Sequence, residues 1–408
     1  MEKLTLISSF PAKAKTHDEY TVGIASYSKN TVRGILSANP GLKVTVLAEK
    51  IPEAESTYMD GKIKVKRVWK RGSIFSFPQL LKEGLKSNKK IMIEFEVSMF
   101  GGILKTLPFP LFLLILRLFG KNITLVIHQA ISDFSQFTGH TNIKGIRSKI
   151  ISFCLRIFYF LIIGLSQKTV VFEERLKDRL PFKEKIFVIP HGVENFEIKY
   201  GKREARKMLG IKENKLVLLI FGYVAWYKGT DWLANAVSKL SKKKEFNNLL
   251  LLIAGGPNPN HKDKRFYMRY VEKVKNMPDE EHIFYSGFVP EKMIANYYQA
   301  SDAVILPYRA FMSASGPLSI AYSFGKPAFV SSQLKETLKT KDIAKEINKL
   351  RISESEMTFD LSENDFTRVI RKMLNENFMQ QMSSLSKTLK IKRDFKKIGQ
   401  RYLEVLEK

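Results

Sequence analysis

A lysine between two glycines, at the junction of an apolar segment and a helical pattern, could bind an anion. The stretch FGYVAWYKGTD (221–231) places Gly222, Lys228 and Gly229 after KLVLLI, which is typical of a β-strand. It precedes WLANAVSKL, whose apolar residues repeat at helical spacing. A helix N-terminus carries partial positive charge, glycine lets a ligand approach the backbone, and lysine adds a full charge. The spacing is not that of a P-loop, so an ordinary turn with a solvated lysine explains the stretch equally well.

A second helix start has the same character. In ASGPLSIAYSFG (314–325), Ser315 is suited to cap a helix and Pro317 to occupy its first turn. The preceding predicted strand ends in LPY (306–308), so the helix would direct its N–H groups at an anion across a cleft. An ordinary capped helix is the alternative interpretation.

Titratable residues at predicted strand ends are further candidates. His128 ends the strand predicted at 123–128, and histidine can relay a proton near neutral pH, although a structural histidine is the alternative. Glu94 and Glu96 alternate on one strand and so point to one face. Glu96 could hold an acceptor hydroxyl, whereas Glu94 could equally be a buried partner of a lysine. His191, in the Pro-His-Gly cluster of IFVIPHGVENF (186–196), is interpreted as structural.

Composition restricts the class of protein. The 408 residues suit two domains of about 200 residues each, and 44% hydrophobic residues can form real cores. The net charge of +28 favours nucleic acid, an anionic membrane or anionic substrates. Because no zinc-finger or RRM-type pattern accompanies the basic residues, we expect no nucleic-acid partner. A membrane surface is the preferred interpretation, and a generally basic surface is the alternative.

Two apolar segments bear on membrane contact. LPFPLFLLILRLFG (107–120) and IISFCLRIFYFLIIGL (150–165) are shorter than the ~20 residues that a span requires, and Arg117 and Arg156 interrupt them. We expect helices buried against a sheet or lying on a bilayer face. Cys154, the single cysteine, is expected to pack in its apolar run. One cysteine and an N-terminus that resembles a first strand fit a reducing, cytosolic compartment.

Strands and helices alternate along the chain, which predicts parallel α/β sheets. The predicted strands of the first half are 4–7, 43–47, 91–95, 123–128 and 169–172, and those of the second half are 216–221, 249–254, 283–285, 303–307 and 328–330. Two α/β halves joined near residue 195 are the natural partition. Since ligands bind beyond the carboxyl ends of parallel strands, the cleft between the halves is the expected site.

These segments, taken in order, resemble the GT-B glycosyltransferases of family 4. The resemblance extends over nearly the whole chain and rests on GIASYSKN (23–30), IEFEVSMFGG (93–102), VIHQ (126–129), VIPHGVE (188–194), FGYVAWYKG (221–229), LLIAGGP (251–257), YSGFVPEKMIANYYQASDAVILPY (285–308) and SGPLSIAYSFGKPAFVSS (315–332). It implies two Rossmann-like parallel-sheet domains that face a cleft. The expected boundaries are 1–194 for the acceptor domain, 195–385 for the nucleotide-sugar domain, and 386–408 for a C-terminal helix that packs back on the first domain.

The resemblance also implies an activity. Family members transfer a sugar from a nucleotide diphosphate to an acceptor and retain the anomeric configuration. The implied donor-binding residues are Gly23, Gly222, Lys228, Gly256, Val289, Ser315 and Gly316; His128 lies by resemblance near the transferring sugar, and Glu96 on the acceptor side. Neither a metal nor a cofactor is expected. The implied acceptor is a glycolipid, a lipid-linked oligosaccharide or a polysaccharide, at the inner face of the cell membrane, with peripheral contact to anionic lipid.

The chain departs from the family pattern at several positions. Where many members carry two glutamates, this sequence has Met312 and Ile320, and where many carry arginine after the loop glycine it has Tyr223. Only Gly23 remains of a glycine pair in the first loop. These departures leave the donor's identity open. Two alternatives to an active glycosyltransferase therefore stay open: a catalytically weakened partner subunit, and a GT-B fold used as an epimerase or phosphorylase.

Overall fold

Two parallel β-sheets, each flanked by helices, organise the chain. The computed structural model describes residues 1–17, 20, 23–52, 54–131, 143, 145–262, 264–277, 279, 281–311 and 314–408. Met312 lies outside the described residues. The predicted α/β class with two Rossmann-like domains is confirmed.

The first sheet has eight strands within the described residues, in the order β3-β4-β2-β1-β5-β6-β7-β8. Its strands are β1 (Lys3–Ser8), β2 (Lys43–Glu49), β3 (Thr57–Asp60), β4 (Ile63–Trp69), β5 (Lys90–Phe95), β6 (Asn122–Ile127), β7 (Lys168–Val171) and β8 (Ile186–Val188). Only the edge pair β3–β4 is antiparallel. The five strands predicted in this half are confirmed. Strands β3, β4 and β8 were not predicted. Lysines interrupt the apolar pattern of β4, and a proline follows β8 closely.

The second sheet has six described strands, in the order β11-β10-β9-β12-β13-β14. They are β9 (Leu216–Phe221), β10 (Leu249–Ala254), β11 (Ile283–Tyr285), β12 (Ala303–Leu306), β13 (Ala328–Ser331) and β14 (Thr358–Phe359). All pairs are parallel, and β10 is buried along its whole length because helices cover both faces.

Helices occupy the crossovers. The described helices are α1 (Gly23–Ala38), α2 (Ser76–Lys86), α3 (Ile103–Thr106), α4 (Phe109–Leu118), α5 (Ile146–Leu165), α6 (Glu174–Arg179), α7 (Lys202–Met208), α8 (Thr230–Leu240), α9 (Arg265–Lys275), α10 (Glu291–Ala300), α11 (Gly316–Ser323), α12 (Lys341–Leu350), α13 (Glu354–Met357), α14 (Glu363–Met373), α15 (Glu376–Lys392) and α16 (Phe395–Glu407). In the first domain, α2, α4 and α5 belong to one core, whereas α1 and α16 pack together in the core on the opposite face.

The two apolar segments form α4 and α5, and the structure corrects two expectations about them. Helix α5 has 20 residues, more than the sequence suggested, and within the described part of the chain it is the one helix long and apolar enough to cross a membrane, by length and composition alone. The core helix of a soluble protein passes the same test. Cys154 is exposed and not packed, because the helix turns this residue away from the sheet.

Several basic residues are structural. Arg67, in the lysine-rich strand β4, is buried and donates to the backbone carbonyl of Glu49 at 2.8 Å. Arg393 is buried and forms a bidentate pair with Asp342 at 2.6 and 2.7 Å. Lys29 is buried against Asp60 at 2.5 Å. A generally basic surface, one of the two explanations offered for the net charge, therefore does not account for these three buried residues.

The C-terminal helix lies on the first domain. Helix α15 runs without a break through residue 385, and α16 then packs against α1. A Cβ at Gly34 would collide with the backbone carbonyl of Phe395, so the two helices approach at backbone distance. The hydroxyls of Tyr27 and Tyr402 lie 3.0 Å apart, and Lys90 donates to the carbonyl of Leu406 at 2.6 Å.

Polar contacts also join the domains. The backbone N–H groups of Thr16 and His17 both donate to the Glu291 carboxylate at 3.1 Å, and the His17 ring lies 2.9 Å from Glu194. Although burial favours the neutral ring, the hydrogen bond and charge of Glu194 raise the pKa of His17. These contacts fix the first loop against the second domain and close one side of the cleft.

A buried carboxyl group lies at the same interface. Glu173, after β7, accepts a hydrogen bond from Thr337 of the second domain at 3.0 Å, and its other carboxylate oxygen has no hydrogen-bond partner in the part of the chain that the structure describes. Burial raises the pKa of Glu173 to about 7. Since the ionised form is disfavoured in the folded protein, this group weakens stability as pH rises from about 4.5 to 7.

We expect Glu173→Gln to raise the free energy of unfolding by about 2 kcal/mol more at pH 8 than at pH 5. The amide keeps the acceptor for Thr337 and carries no charge. Denaturant unfolding of both proteins at the two pH values measures the difference. Glu336→Gln, at an exposed site nearby, is the control and should show no comparable gain. Equal effects of Glu173→Gln at both pH values would contradict the assignment.

Candidate active site in the interdomain cleft

A cavity of about 490 Å³ lies between the two sheets at the carboxyl ends of their strands. Its lining includes every residue that the sequence analysis assigns to a site: Gly23, Glu96, His128, Gly222, Lys228, Gly256, Val289, Ser315 and Gly316. The first three come from the first domain and the others from the second. The structure therefore brings these residues together, whereas their individual roles stay predictions.

Lys228 is the main charged group on the second-domain side. It lies in the single turn between β9 and α8, and only 8% of the residue is exposed. Burial lowers the pKa of Lys228 to about 8, and no acidic group of the described residues counteracts the shift. A buried ammonium without a carboxylate partner is rare, because desolvation disfavours its charge. An anionic ligand would supply the missing partner.

Two ionic residues hold the turn that carries Lys228. Arg309, which follows β12, donates to the carbonyl of Trp226 at 2.9 Å and to Asp231 at 2.7 Å, and its guanidinium lies over the Trp226 ring. Its backbone N–H also donates to the carbonyl of Tyr227 at 2.7 Å. Burial alone would raise the pKa of Asp231, but the hydrogen bond and charge of Arg309 lower it to about 2. The lysine is thus presented by a rigid turn.

Glycines keep space open beside the lysine. Gly222 has φ +99°, and a Cβ there would come within 3.0 Å of Lys228 Nζ. Gly229 has φ +71°, and a Cβ there would collide with the carbonyl oxygen of Pro307. A Cβ at Gly255 would likewise collide with the carbonyl of Gly222. The conformation of the loop after β9 therefore requires glycine at 222 and 229, and the residue that packs against this loop at 255 must also be glycine.

The predicted cap of α11 is confirmed. The Ser315 side chain accepts from the N–H of Leu318 at 3.3 Å, and the Tyr308 hydroxyl lies 3.1 Å from the Ser315 hydroxyl. Around Gly316, the first residue of α11, an added Cβ would meet nothing within 4 Å. The N-terminus of α11 is therefore open to the cleft that Lys228 also lines, and its dipole adds positive potential there.

On the opposite side, His128 is paired with Glu94. His128 Nε2 lies 2.7 Å from a carboxylate oxygen of Glu94, which is fully buried. The rings of Tyr27 and Phe172 contact the imidazole edge-on at 5.0 and 4.9 Å. Burial raises the pKa of Glu94, while the bond from His128 opposes the shift. The partner of Glu94 is thus a histidine and not the lysine that the sequence allowed.

Glu96 and His191 complete the first-domain side. Glu96 is half-buried in the cleft wall and accepts a hydrogen bond from Ser98. His191 lines the same cleft, lies 2.9 Å from the Ser319 hydroxyl through Nδ1, and packs against Tyr27. Burial lowers the pKa of His191 to about 3, so its ring is neutral at physiological pH. This placement fits the structural role predicted for His191.

Two departures that the sequence analysis noted lie in the cleft. Ile320 lines it with an apolar side chain where many family members have glutamate, and Tyr223 lines it where many have arginine. Sequence reasoning missed one cleft residue and one contact. Lys264, a second basic side chain in the lining, had no motif to reveal it. The Arg309–Asp231 pair joins residues 78 positions apart, a separation that no local pattern predicts.

Comparison with known proteins supports the assignment of the fold. Residues 201–338 match the profile of the family "Glycosyl transferases group 1". Mannosylfructose-phosphate synthase of Agrobacterium fabrum is 28% identical over 131 residues, which are 31% of this chain and 28% of that protein. The chain thus matches less than a third of the length of this relative.

Solved structures match over the full chain. Sucrose-phosphate synthase of Thermosynechococcus elongatus superimposes with a TM-score of 0.70 at 13% identity, covering 100% of this chain and 98% of that chain. HepE of Anabaena, solved in complex with UDP-glucose, gives 0.64 at 13% identity and covers 99% of both chains. The chain therefore has the GT-B fold, and residues 201–338 of its second domain match the family model of glycosyl transferases group 1.

Proposed function

We propose that the protein is a retaining glycosyltransferase that moves a sugar from a nucleotide-diphosphate donor to a glycolipid, a lipid-linked oligosaccharide or a polysaccharide. The observation that carries the proposal is the buried Lys228 ammonium, which has no acidic partner among the described residues and shares the cleft with the open N-terminus of α11. The UDP-glucose bound to the structurally similar HepE supports a nucleotide-sugar donor.

The chemistry follows from where charge develops. When the bond between the sugar and the diphosphate breaks, the leaving oxygen gains negative charge. A positive group held in a water-poor site stabilises that charge more strongly in the transition state than in the ground state. Lys228 and the α11 N-terminus supply such a group, and Gly222, Gly256 and Gly316 leave room for the diphosphate beside it. Gly23 and Val289 border the remaining donor volume.

His128 is assigned to the transferring sugar. With Glu94 ionised, Nε2–H donates to the carboxylate and the neutral ring keeps a lone pair on Nδ1. Glu94 also stabilises a transient positive charge on the ring. Glu96, on the same side of the cleft and half-buried, is assigned to an acceptor hydroxyl.

The reaction we propose needs neither metal nor cofactor. Lys228 already neutralises diphosphate charge. Glu94 is buried in the core and bonded to His128, and its second oxygen has no partner among the described residues. Glu94 and Glu96 are therefore unsuited to hold one cation together, and magnesium in any case prefers a fuller set of oxygen ligands. The proposed location is the cytoplasmic face of the cell membrane, where the +28 net charge favours peripheral contact with anionic lipid.

A catalytically weakened partner subunit is the second candidate. The observation that favours it is Ile320, an apolar residue in the cleft, at a position where many members of the family that the sequence resembles carry a glutamate. Such a subunit would bind the nucleotide sugar but not turn it over. Hydrolysis or transfer of the donor by the purified chain separates the two candidates.

Lys228→Met is expected to lower the affinity for a nucleoside diphosphate by at least about tenfold at pH 7 and to leave the fold intact, because it removes the partner of the diphosphate. The mutation also removes a buried unpaired charge. The pKa shift from 10.5 to about 8 corresponds to a penalty of roughly 3 kcal/mol at neutral pH, so the variant should be at least as stable as wild type. Calorimetry with UDP, GDP and ADP, with thermal unfolding alongside, measures both effects, and Lys242→Met is the surface control. Unchanged affinity would refute the role of Lys228.

His128→Ala should reduce the turnover number by ~10²–10⁴ while the affinity for the nucleotide is kept, since His128 lies on the other side of the cleft. Glu94→Gln retains a hydrogen-bond acceptor but loses the charge. If Glu94 stabilises positive charge on the imidazole, this variant should change the pH profile of turnover and leave the Michaelis constant for the donor nearly unchanged. Transfer by His128→Ala within a few-fold of wild type would show that His128 is structural.

Transfer is expected to continue in excess EDTA and to keep the anomeric configuration of the donor. One assay with purified protein, a nucleotide sugar and an acceptor, run with and without chelator, tests both points, and proton NMR of the product gives the anomeric coupling. Loss of activity in EDTA with rescue by magnesium or manganese would overturn the metal-free mechanism. An inverted anomer would overturn the retaining assignment.

A further inference from the structure

Helix α5 has two apolar faces, and only one of them packs on the protein. The inner face, which includes Leu155, Tyr159 and Ile162, is buried against the sheet. The outer face presents apolar side chains at steps of three and four residues, with exposed fractions from 44% to 70%: Ile146, Ile150, Phe153, Ile157, Phe160 and Leu161. Such a continuous row of exposed apolar side chains is unusual for a surface helix whose outer face contacts only solvent.

The neighbouring segment repeats this pattern. From α3 through α4, the exposed apolar side chains are Leu104, Leu107, Leu111, Leu114, Leu118 and Phe119. Helix α4 packs directly against α5, and both lie on the same side of the first sheet. We call these twelve residues together the α4–α5 face. The two rows are adjacent, so the apolar surface is larger than one helix provides.

The segment that carries the α4–α5 face is strongly basic. Between Val97 and Phe172 the sequence contains eight lysines and arginines and one acidic residue, Asp133. On the helices themselves, the exposed bases Arg147, Lys149 and Arg156 alternate with the apolar row of α5. Helices α3, α4 and α5 contain no acidic residue, and apolar side chains flanked by exposed bases match an anionic lipid surface.

The face borders the candidate active site. Gly102 and Ile103 line the cleft on the side of Glu96. The next residue, Leu104, is 77% exposed and begins the α4–α5 face. Consecutive Cα atoms are about 3.8 Å apart, so the cleft wall passes into the apolar surface within one residue. A surface bound there brings the cleft rim to the same interface.

We propose that the α4–α5 face docks into the headgroup and upper acyl region of an anionic bilayer, and that the rim at Gly102–Leu107 receives an acceptor anchored in that bilayer. The acceptor is then a saccharide on a lipid, and not a free polysaccharide. This choice among acceptors rests on the proposed transferase function, whereas the docking itself does not.

Two other occupants fit the observations less well. A spanning α5 would have to withdraw Leu155, Tyr159 and Ile162 from the core of the first domain, and each large apolar side chain withdrawn forfeits about 1.5–3 kcal/mol of burial. A second copy of the chain would bring the same basic residues face to face, which like charges oppose. Anionic lipid instead complements them.

Cys154 gives a direct test, because this single cysteine is exposed on α5 next to Phe153. The wild-type protein is labelled there with an environment-sensitive dye and mixed with vesicles of phosphatidylglycerol and phosphatidylcholine in equal parts. We expect a blue shift and quenching by nitroxides at shallow acyl positions, about 5–10 Å below the surface. The control carries Cys154→Ser with Lys242→Cys, labelled at that exposed site of the second domain, and should show neither change.

Variants separate the apolar and charged contributions in vesicle flotation. Phe153→Ser with Ile157→Ser should weaken vesicle binding about tenfold or more, whereas Leu374→Ser with Ile391→Ser, similarly exposed in the second half of the chain, should not. Arg147→Gln, Lys149→Gln and Arg156→Gln together should abolish the preference for phosphatidylglycerol. The matched triple variant Lys207→Gln, Lys212→Gln and Lys242→Gln in the second domain should keep it. Raising salt from 0.1 to 1 M shortens the Debye length from about 10 to about 3 Å and should release much of the wild type.

Nucleoside-diphosphate binding is measured on the same samples, so that the two proposals fail separately. Unchanged diphosphate affinity in the face variants, with lost vesicle binding, supports docking by this face. A wild type that binds the diphosphate but no vesicles overturns docking and leaves the transferase proposal standing. Quenching of the dye only by nitroxides near the bilayer centre, with vesicle binding that resists carbonate extraction, overturns docking in favour of insertion. A dimer that Phe153→Ser with Ile157→Ser dissociates overturns it in favour of a second copy.

Discussion

The candidate site depends on one constraint: a lysine ammonium held in a buried cleft without a carboxylate beside it. Desolvation alone lowers the pKa of Lys228 to about 8, which corresponds to roughly 3 kcal/mol at neutral pH that the rest of the fold must offset. A carboxylate would stabilise the lysine but would also repel a diphosphate. Asp231, three residues after Lys228, is engaged by Arg309 instead, so the turn stays rigid and the ammonium stays available.

The two domains divide the chemistry between them. The second domain provides positive potential from Lys228 and the N-terminus of α11, and the first provides the His128–Glu94 pair and Glu96. Contacts from Thr16 and His17 to Glu291 and from Thr337 to Glu173 hold the facing walls together, and α16 fastens the end of the chain to α1. The same first domain turns its other helices outward as the α4–α5 face. The proposed donor, acceptor and bilayer contacts thus occupy three adjoining surfaces.

Much of the fold could be predicted from the sequence because it is locally encoded. Apolar runs such as 216–221 and 249–254 and the Ser315 cap are signals a few residues long, and they gave strands and helix starts at nearly the observed positions. Long-range pairing could not be predicted in this way. The sequence left Glu94 open to a lysine, placed Cys154 in the core and could not connect Arg309 to Asp231, because each outcome depends on which face of an element meets a distant neighbour.

Proton uptake on diphosphate binding tests the role of Lys228 most directly. Calorimetry at pH 8 in buffers of different ionisation enthalpy counts the protons taken up when the best binder among UDP, GDP and ADP enters the cleft. With a pKa of about 8, Lys228 is half-protonated in the free protein, and a bound diphosphate should raise its pKa, so we predict an uptake of about half a proton. The uptake should vanish in Lys228→Met. Tight binding by the wild type without proton uptake, or equal uptake by the variant, would contradict the account.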